Sequence, residues 1–106
     1  MPFVKVCALS ALPLDSVLEV VVGDSPYAIC NVGGELHALE GICPHAGGPL
    51  GQGNIVGDAL MCPWHAYEFD PRTGENLDNP LMRAVKVPVK VEGDDVLIEV
   101  ASAGAA

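Results

Sequence analysis

Short runs of aliphatic and β-branched residues, punctuated by Gly, Pro and Asp, set the rhythm of this chain. Phe3 to Ala8 predicts a first strand, stopped by Ser10-Ala11-Leu12-Pro13, and Val17 to Val22 a second, closed by Gly23-Asp24-Ser25-Pro26. Tyr27 to Val32 and Glu35 to Leu39 flank Gly33-Gly34, a pair that signals a tight two-residue hairpin. From Ala84 to Val91 the alternation is clean, with Val85, Val87, Val89 and Val91 on one face and Lys86 and Lys90 on the other. Glu92-Gly93-Asp94-Asp95 then turns the chain into Val96 to Val100, where Val96, Ile98 and Val100 face away from Leu97 and Glu99. Only the segment near Ser10 hints at a helical turn, and Ala101 to Ala106 reads as a frayed tail. The expectation is an all-β fold with antiparallel strands.

The middle of the chain abandons this rhythm. Residues 41 to 57 hold six glycines and two prolines, and residues 62 to 80 hold three more prolines, with Asp70-Pro71-Arg72-Thr73-Gly74 as a turn. Irregular backbone of this length is costly to order unless something organises it. At 106 residues the sequence has the length of a single domain, 1–106. Half the residues are hydrophobic but only 5% are aromatic, so the core is expected from Val, Leu, Ile and Ala. The formal net charge of −9, with five Lys plus Arg, argues against nucleic acid or an anionic membrane as partner. It suits either solubility alone or a partner with a basic patch. Apolar runs such as Val20-Val21-Val22 are too short to cross a bilayer, and no secretion signal is apparent, so a cytoplasmic location is expected.

The most reactive residues fall in the two irregular stretches. The first carries Cys43-Pro44-His45 and the second Cys62-Pro63-Trp64-His65, a C-x-H and a C-x-x-H separated by sixteen residues. Each supplies one sulfur and one imidazole at close spacing, and Pro44 and Pro63 fix φ where the backbone must turn sharply. Glycines that follow the first pair let backbone N–H groups approach sulfur without a Cβ in the way. Three readings compete. Ordinary buried cysteines and loop histidines would require four coincidences of type and spacing. A tetrahedral zinc site is chemically possible, but zinc-finger spacing puts both cysteines in one arm and both histidines in the other. A [2Fe–2S] cluster with mixed sulfur and nitrogen ligation fits both loops and is the preferred reading. Disulfides among the four cysteines are disfavoured by the missing secretion signal.

With its paired C-x-H and C-x-x-H loops and strands on either side, the chain resembles the Rieske family along essentially its whole length. The resemblance implies an antiparallel β-sandwich or barrel base with a small cluster-binding subdomain, formed by loops at about 41–50 and 61–70. It implies one [2Fe–2S] cluster per chain, with Cys43 and Cys62 on the buried iron and His45 and His65 on the outer iron. Two neutral imidazoles in place of thiolates remove negative charge and raise the potential above that of all-cysteine centres. The cytochrome bc-type branch of the family ties its loops with a disulfide, at positions that correspond to Gly48 and Trp64 here. It also uses serine and tyrosine hydroxyls toward the cluster sulfurs where this chain has Tyr67 and Phe69. Fewer donors leave the added electron less stabilised, so a potential near the low end of the Rieske range, about −150 mV, is expected.

Size and the absence of an anchor point to a free-standing carrier, not to an oxygenase or a respiratory subunit. The resemblance implies an electron-transfer protein, not an enzyme, working as a monomer between a flavin-containing NAD(P)H reductase and a terminal oxygenase. The alternative is the small Rieske subunit of an assimilatory NAD(P)H nitrite reductase, paired with its large subunit. A zinc-stabilised β module that only binds other proteins is a third possibility. Among the remaining residues, Cys7 and Cys30 are read as small buried hydrophobes in strands. His37 is read as a surface or packing residue and Trp64 as a shield over the cluster, with partner contact as its alternative. Asn79-Pro80-Leu81 is either a third loop over the cluster, as the resemblance suggests, or the lead-in to the next strand.

Overall fold

The alternating and β-branched runs become strands, and glycines at positive φ make the tight turns between them. The computed structural model describes residues 3–42, 48–64, 67–79 and 82–99. β1 (Phe3–Ala8), β2 (Ser16–Val22), β3 (Ser25–Val32) and β4 (Glu35–Glu40) lie where the pattern places them. Gly33 and Gly34 take φ of 61° and 96°, a left-handed turn open to glycine at no steric cost, and Val32 pairs directly with Glu35 across it. The helical turn near Ser10 is a short 3₁₀ segment, Leu9–Ala11.

The alternating stretch from Ala84 to Val91 is divided, contrary to expectation. Pro88 lacks the N–H that a continuous ladder needs. The chain therefore forms two short strands, β8 (Lys86–Val87) and β9 (Val89–Glu92), in different sheets. Val87 pairs with Ala38 of β4, whereas Val89 pairs with Ile98 of β10 (Asp95–Glu99). The four valines no longer share a face: Val87 is buried, while Val85 is 55% and Val91 42% exposed. Val96 and Ile98 do face the core together, and Val100 lies outside the described residues.

The irregular middle also holds more order than its composition suggests. It contains a 3₁₀ turn at Leu50–Gln52 and a small antiparallel sheet of β5 (Asn54–Val56), β6 (Ala59–Met61) and β7 (Glu68–Phe69). Strands of two or three residues are too short to show a period of two. Among the described residues the strands form three sheets, in the orders β1-β10-β9, β2-β3-β4-β8 and β5-β6-β7, and every pairing is antiparallel.

The four-stranded sheet is the centre of the molecule and is covered on both faces. On one face Tyr27, Ile29, Ala38 and Val87 pack with Leu12, Val96 and Ile98. On the other, Ala28, Cys30, Val32 and Leu39 pack with Leu50, Leu60, Cys62, Phe69 and Ala84. Burial from both sides explains the unbroken apolar run Tyr27-Ala28-Ile29-Cys30, all of it buried. The expectation of a purely aliphatic core fails at Phe69 and Tyr27, both buried. Among the described residues no helix is long and apolar enough to cross a membrane.

His37 on β4 joins the central sheet to the turn after β7. Lys86 Nζ lies 3.2 Å from His37 Nδ1 and 3.4 Å from the Pro71 carbonyl oxygen. An ammonium can only donate, so Nδ1 accepts, and the Nε2–H donates to Glu35 Oε1 at 3.4 Å. Arg72 Nε approaches the same carboxylate oxygen at 3.6 Å. Burial first, and the neighbouring Lys86 charge second, hold the imidazole pKa below its ordinary value. The neutral ring is thus the form the fold prefers. Protonation favours the unfolded chain, and His37 costs stability as pH falls below the ordinary value of 6.5. Melting temperature should drop more between about pH 7 and about pH 5 in the wild type than in His37→Gln, as thermal scans across that window will test.

Candidate metal centre

Of the four expected ligands, Cys62 is the one within the described residues. Cys43 and His45 lie in the stretch 43–47, and His65 in 65–66, outside them. The frame that carries those stretches is well defined. β4 runs into Gly41, and the first loop is pinched where the Leu50 N–H donates to the Gly41 carbonyl at 2.9 Å and Ile42 bridges Pro49. The second leaves β6 at Cys62 and returns into β7, closed by the Cys62 N–H donating to the Tyr67 carbonyl at 2.7 Å. Each pair of expected ligands is therefore mounted on a loop whose base is fixed by main-chain hydrogen bonds.

The two loops meet. A Cβ placed on Gly48 would lie 2.8 Å from Cγ and Cδ2 of Trp64, so the indole rests on the bare backbone of the first loop. These are the positions that the resemblance pairs through a disulfide in the bc-type branch. Trp64 covers this backbone and is itself 50% exposed.

Cys62 is fully buried, in the cluster that contains Leu50, Leu60 and Phe69. Its Sγ accepts the backbone N–H of Trp64 at 3.4 Å. A main-chain donor aimed at sulfur stabilises a thiolate, the form that binds metal. Cys30 belongs to the same core but has the opposite character. Burial pushes its thiol pKa up to about 12 against the weaker pull of Lys86, which keeps it a neutral, inert packing group. Cys7 on β1 is also shifted upward, chiefly by burial, and both are free thiols. Two thiols and two imidazoles on adjoining, pinned loops, one sulfur already buried beside a main-chain donor, suit a [2Fe–2S] cluster with mixed ligands.

Asn76 is a residue that the sequence reading missed. Only 2% exposed, its Oδ1 accepts the N–H groups of Asp78 at 2.8 Å and Asn79 at 2.9 Å. Its Nδ2 lies 3.7 Å from Met82 Sδ, and its own N–H donates to the Met82 carbonyl at 2.9 Å. Asn76 thus shapes the loop that contains Asn79-Pro80-Leu81, of which Pro80 and Leu81 are outside the described residues. The spacing Asn-x-Asp-Asn-Pro was the available signal, since asparagine side chains cap the backbone two and three residues on. Asn76→Ala should cost about 0.5–1.5 kcal/mol for each turn hydrogen bond lost, read as a lower urea midpoint.

Comparison with known proteins accounts for the architecture. The family model for the Rieske [2Fe-2S] domain matches residues 2–95. The ferredoxin component of biphenyl 2,3-dioxygenase from Rhodococcus jostii (strain RHA1) is 35% identical over 100 residues, which cover 93% of this chain and 94% of that protein. A solved complex of reduced oxygenase and oxidized ferredoxin in carbazole 1,9a-dioxygenase contains a chain that superposes with a TM-score of 0.81 at 31% identity, covering 91% of each. A candidate NADH-dependent nitrite reductase small subunit from Mycobacterium tuberculosis shares the fold, with a TM-score of 0.83 at 24% identity over 94% of this chain and 96% of that one. This chain belongs to the Rieske [2Fe–2S] domain family. One such cluster is the cofactor that membership implies.

Proposed function

We propose that this protein is a Rieske ferredoxin, which takes single electrons from a flavin-containing NAD(P)H reductase and delivers them to a terminal oxygenase. Residues 1–106 are read as one Rieske domain, a cytoplasmic monomer. Cys43 and Cys62 are read as the sulfur ligands and His45 and His65 as the nitrogen ligands. The observation that carries the reading is the nearly full-length match, over nine-tenths of both chains, to the ferredoxin component of a biphenyl dioxygenase. Likeness to the nitrite reductase subunit extends to fold alone.

The bound cluster supplies reversible one-electron chemistry and makes no substrate bond. What the chain contributes is its surroundings. The apolar packing of Leu50, Leu60 and Phe69 excludes water from the Cys62 side. The Trp64 N–H withdraws electron density from the Cys62 sulfur, which favours the reduced state. Phe69 offers no donor. The acidic surface, with a net charge of −9, steers the protein toward basic patches on its partners.

The test begins with EPR of the dithionite-reduced protein, where mixed sulfur and nitrogen ligation has a signal distinct from that of all-cysteine clusters. A colourless protein that holds zinc sinks the redox reading. Reconstitution with an NADH-driven flavin reductase and a ring-hydroxylating oxygenase should then support turnover. Obligate co-purification with a sirohaem protein would instead place the carrier in a nitrite reductase. Sedimentation at working concentration checks the monomer.

A further inference from the structure

The Trp64 indole lies on Gly48 across the gap between two loops that carry reactive residues on either side of the contact. Gly48 follows the 43–47 stretch immediately, and Trp64 stands between Cys62 and His65. The approach is so close that even a methyl group on Gly48 would meet the ring at 2.8 Å and its Cβ at 3.0 Å. Glycine at 48 is therefore a steric requirement of the aromatic ring at 64. Each loop is fastened at its own base, by Leu50 to Gly41 and by Cys62 to Tyr67, but those bonds do not hold one loop against the other. The indole contact does. The same residue supplies the main-chain donor to the Cys62 sulfur, the Trp64 N–H at 3.4 Å.

We propose that Trp64, seated on Gly48, is a positioning residue: an aromatic clasp that keeps the two metal loops together and sets how long the cluster is retained. The inference rests on the reading of Cys43, His45, Cys62 and His65 as its ligands. Removing the ring frees the loops to separate, and adding a side chain at 48 prises the ring away, so opposite changes in volume should give the same defect.

The experiment uses the full chain loaded anaerobically, with cluster loss followed as bleaching of visible absorbance in excess chelator. Trp64→Ala should bleach about tenfold faster or more, and Trp64→Phe, which keeps a ring, should stay within about twofold of wild type. Gly48→Ala should also bleach faster, and its emission should shift, because Trp64 is the single tryptophan and reports on its own contact. EPR of the reduced Gly48→Ala protein should be broadened relative to wild type as the sulfur and nitrogen ligands adopt several geometries. A double variant, Gly48→Cys with Trp64→Cys, adds a rescue arm. The two Cβ positions are 3.0 Å apart, a little under the roughly 3.5–4.5 Å that a disulfide spans. Its oxidised form should retain the cluster at close to the wild-type rate and lose it on mild reduction.

Wild-type bleaching rates in both Trp64→Ala and Gly48→Ala would overturn the clasp. Should Trp64→Ala fail to fold, Gly48→Ala decides: unchanged emission and retention refute the proposal, and faster loss with shifted emission supports it. A wild-type protein without a mixed-ligand EPR signal would overturn the ligand reading itself, and the clasp with it.

Discussion

Replacing His45 with cysteine should alter or destroy the Rieske EPR signature and lower the midpoint potential part of the way toward the all-cysteine range, about −400 mV. The substitution exchanges a neutral imidazole for a thiolate, so the centre gains one negative charge and resists the incoming electron. Wild type is expected near about −150 mV, the low end for Rieske centres, because Phe69 offers no hydroxyl to the sulfurs. Voltammetry on the two proteins measures the difference directly. The matched control is Cys30→Ala, which removes a buried thiol held neutral by a pKa of about 12. Its spectrum should be that of wild type, with some loss of stability from the small cavity. An unaltered signal in His45→Cys, or a lost one in Cys30→Ala, would mean that the ligands have been misassigned.

Phe69→Ala should be the most damaging core substitution, at about 3–5 kcal/mol. Phe69 is the largest of the fully buried side chains and packs with the core that includes Leu50, Leu60 and Cys62. A domain of this size has a total stability of about 5–15 kcal/mol, so the loss consumes a large share of it. Urea unfolding should show the midpoint fall with the slope unchanged. Leu14, 64% exposed, provides the contrast: Leu14→Ala should shift the midpoint by less than about 0.5 kcal/mol in equivalent free energy. Near-equal effects of the two substitutions would remove Phe69 from its place beneath the metal loops.

The long strands were legible because each has a pattern that its burial enforces. Val96 and Ile98 alternate with their neighbours and face one core, and Gly33-Gly34 marks the turn that its backbone angles require. The run Tyr27 to Cys30 was legible as a strand but not as one covered on both sides. Two other features escaped for physical reasons. β5, β6 and β7 are two or three residues long, shorter than any period can register, and are held in place by the core beneath them. The valines from Val85 to Val91 kept perfect alternation while Pro88 moved the chain between sheets, and one missing N–H outweighed the pattern.

At the candidate centre the sequence offered a set of ligands but not their mounting. Spacing singled out Cys43, His45, Cys62 and His65, because few other uses bring two sulfurs and two imidazoles into Gly/Pro-rich loops. The seat of Trp64 on Gly48 and the turn built by Asn76 depend on tertiary neighbours, which no local signal announces.

The break at Pro88 has a mechanical consequence. Residues on its two sides are fastened to different layers, Val87 to β4 and Val89 to β10, so neither layer can peel from the other without tearing at this joint. β4 in turn feeds directly into the first metal-bearing loop through Gly41. The scaffold behind that loop therefore yields as a single cooperative block. A carrier that must be docked, discharged and released many times works from a stiff back.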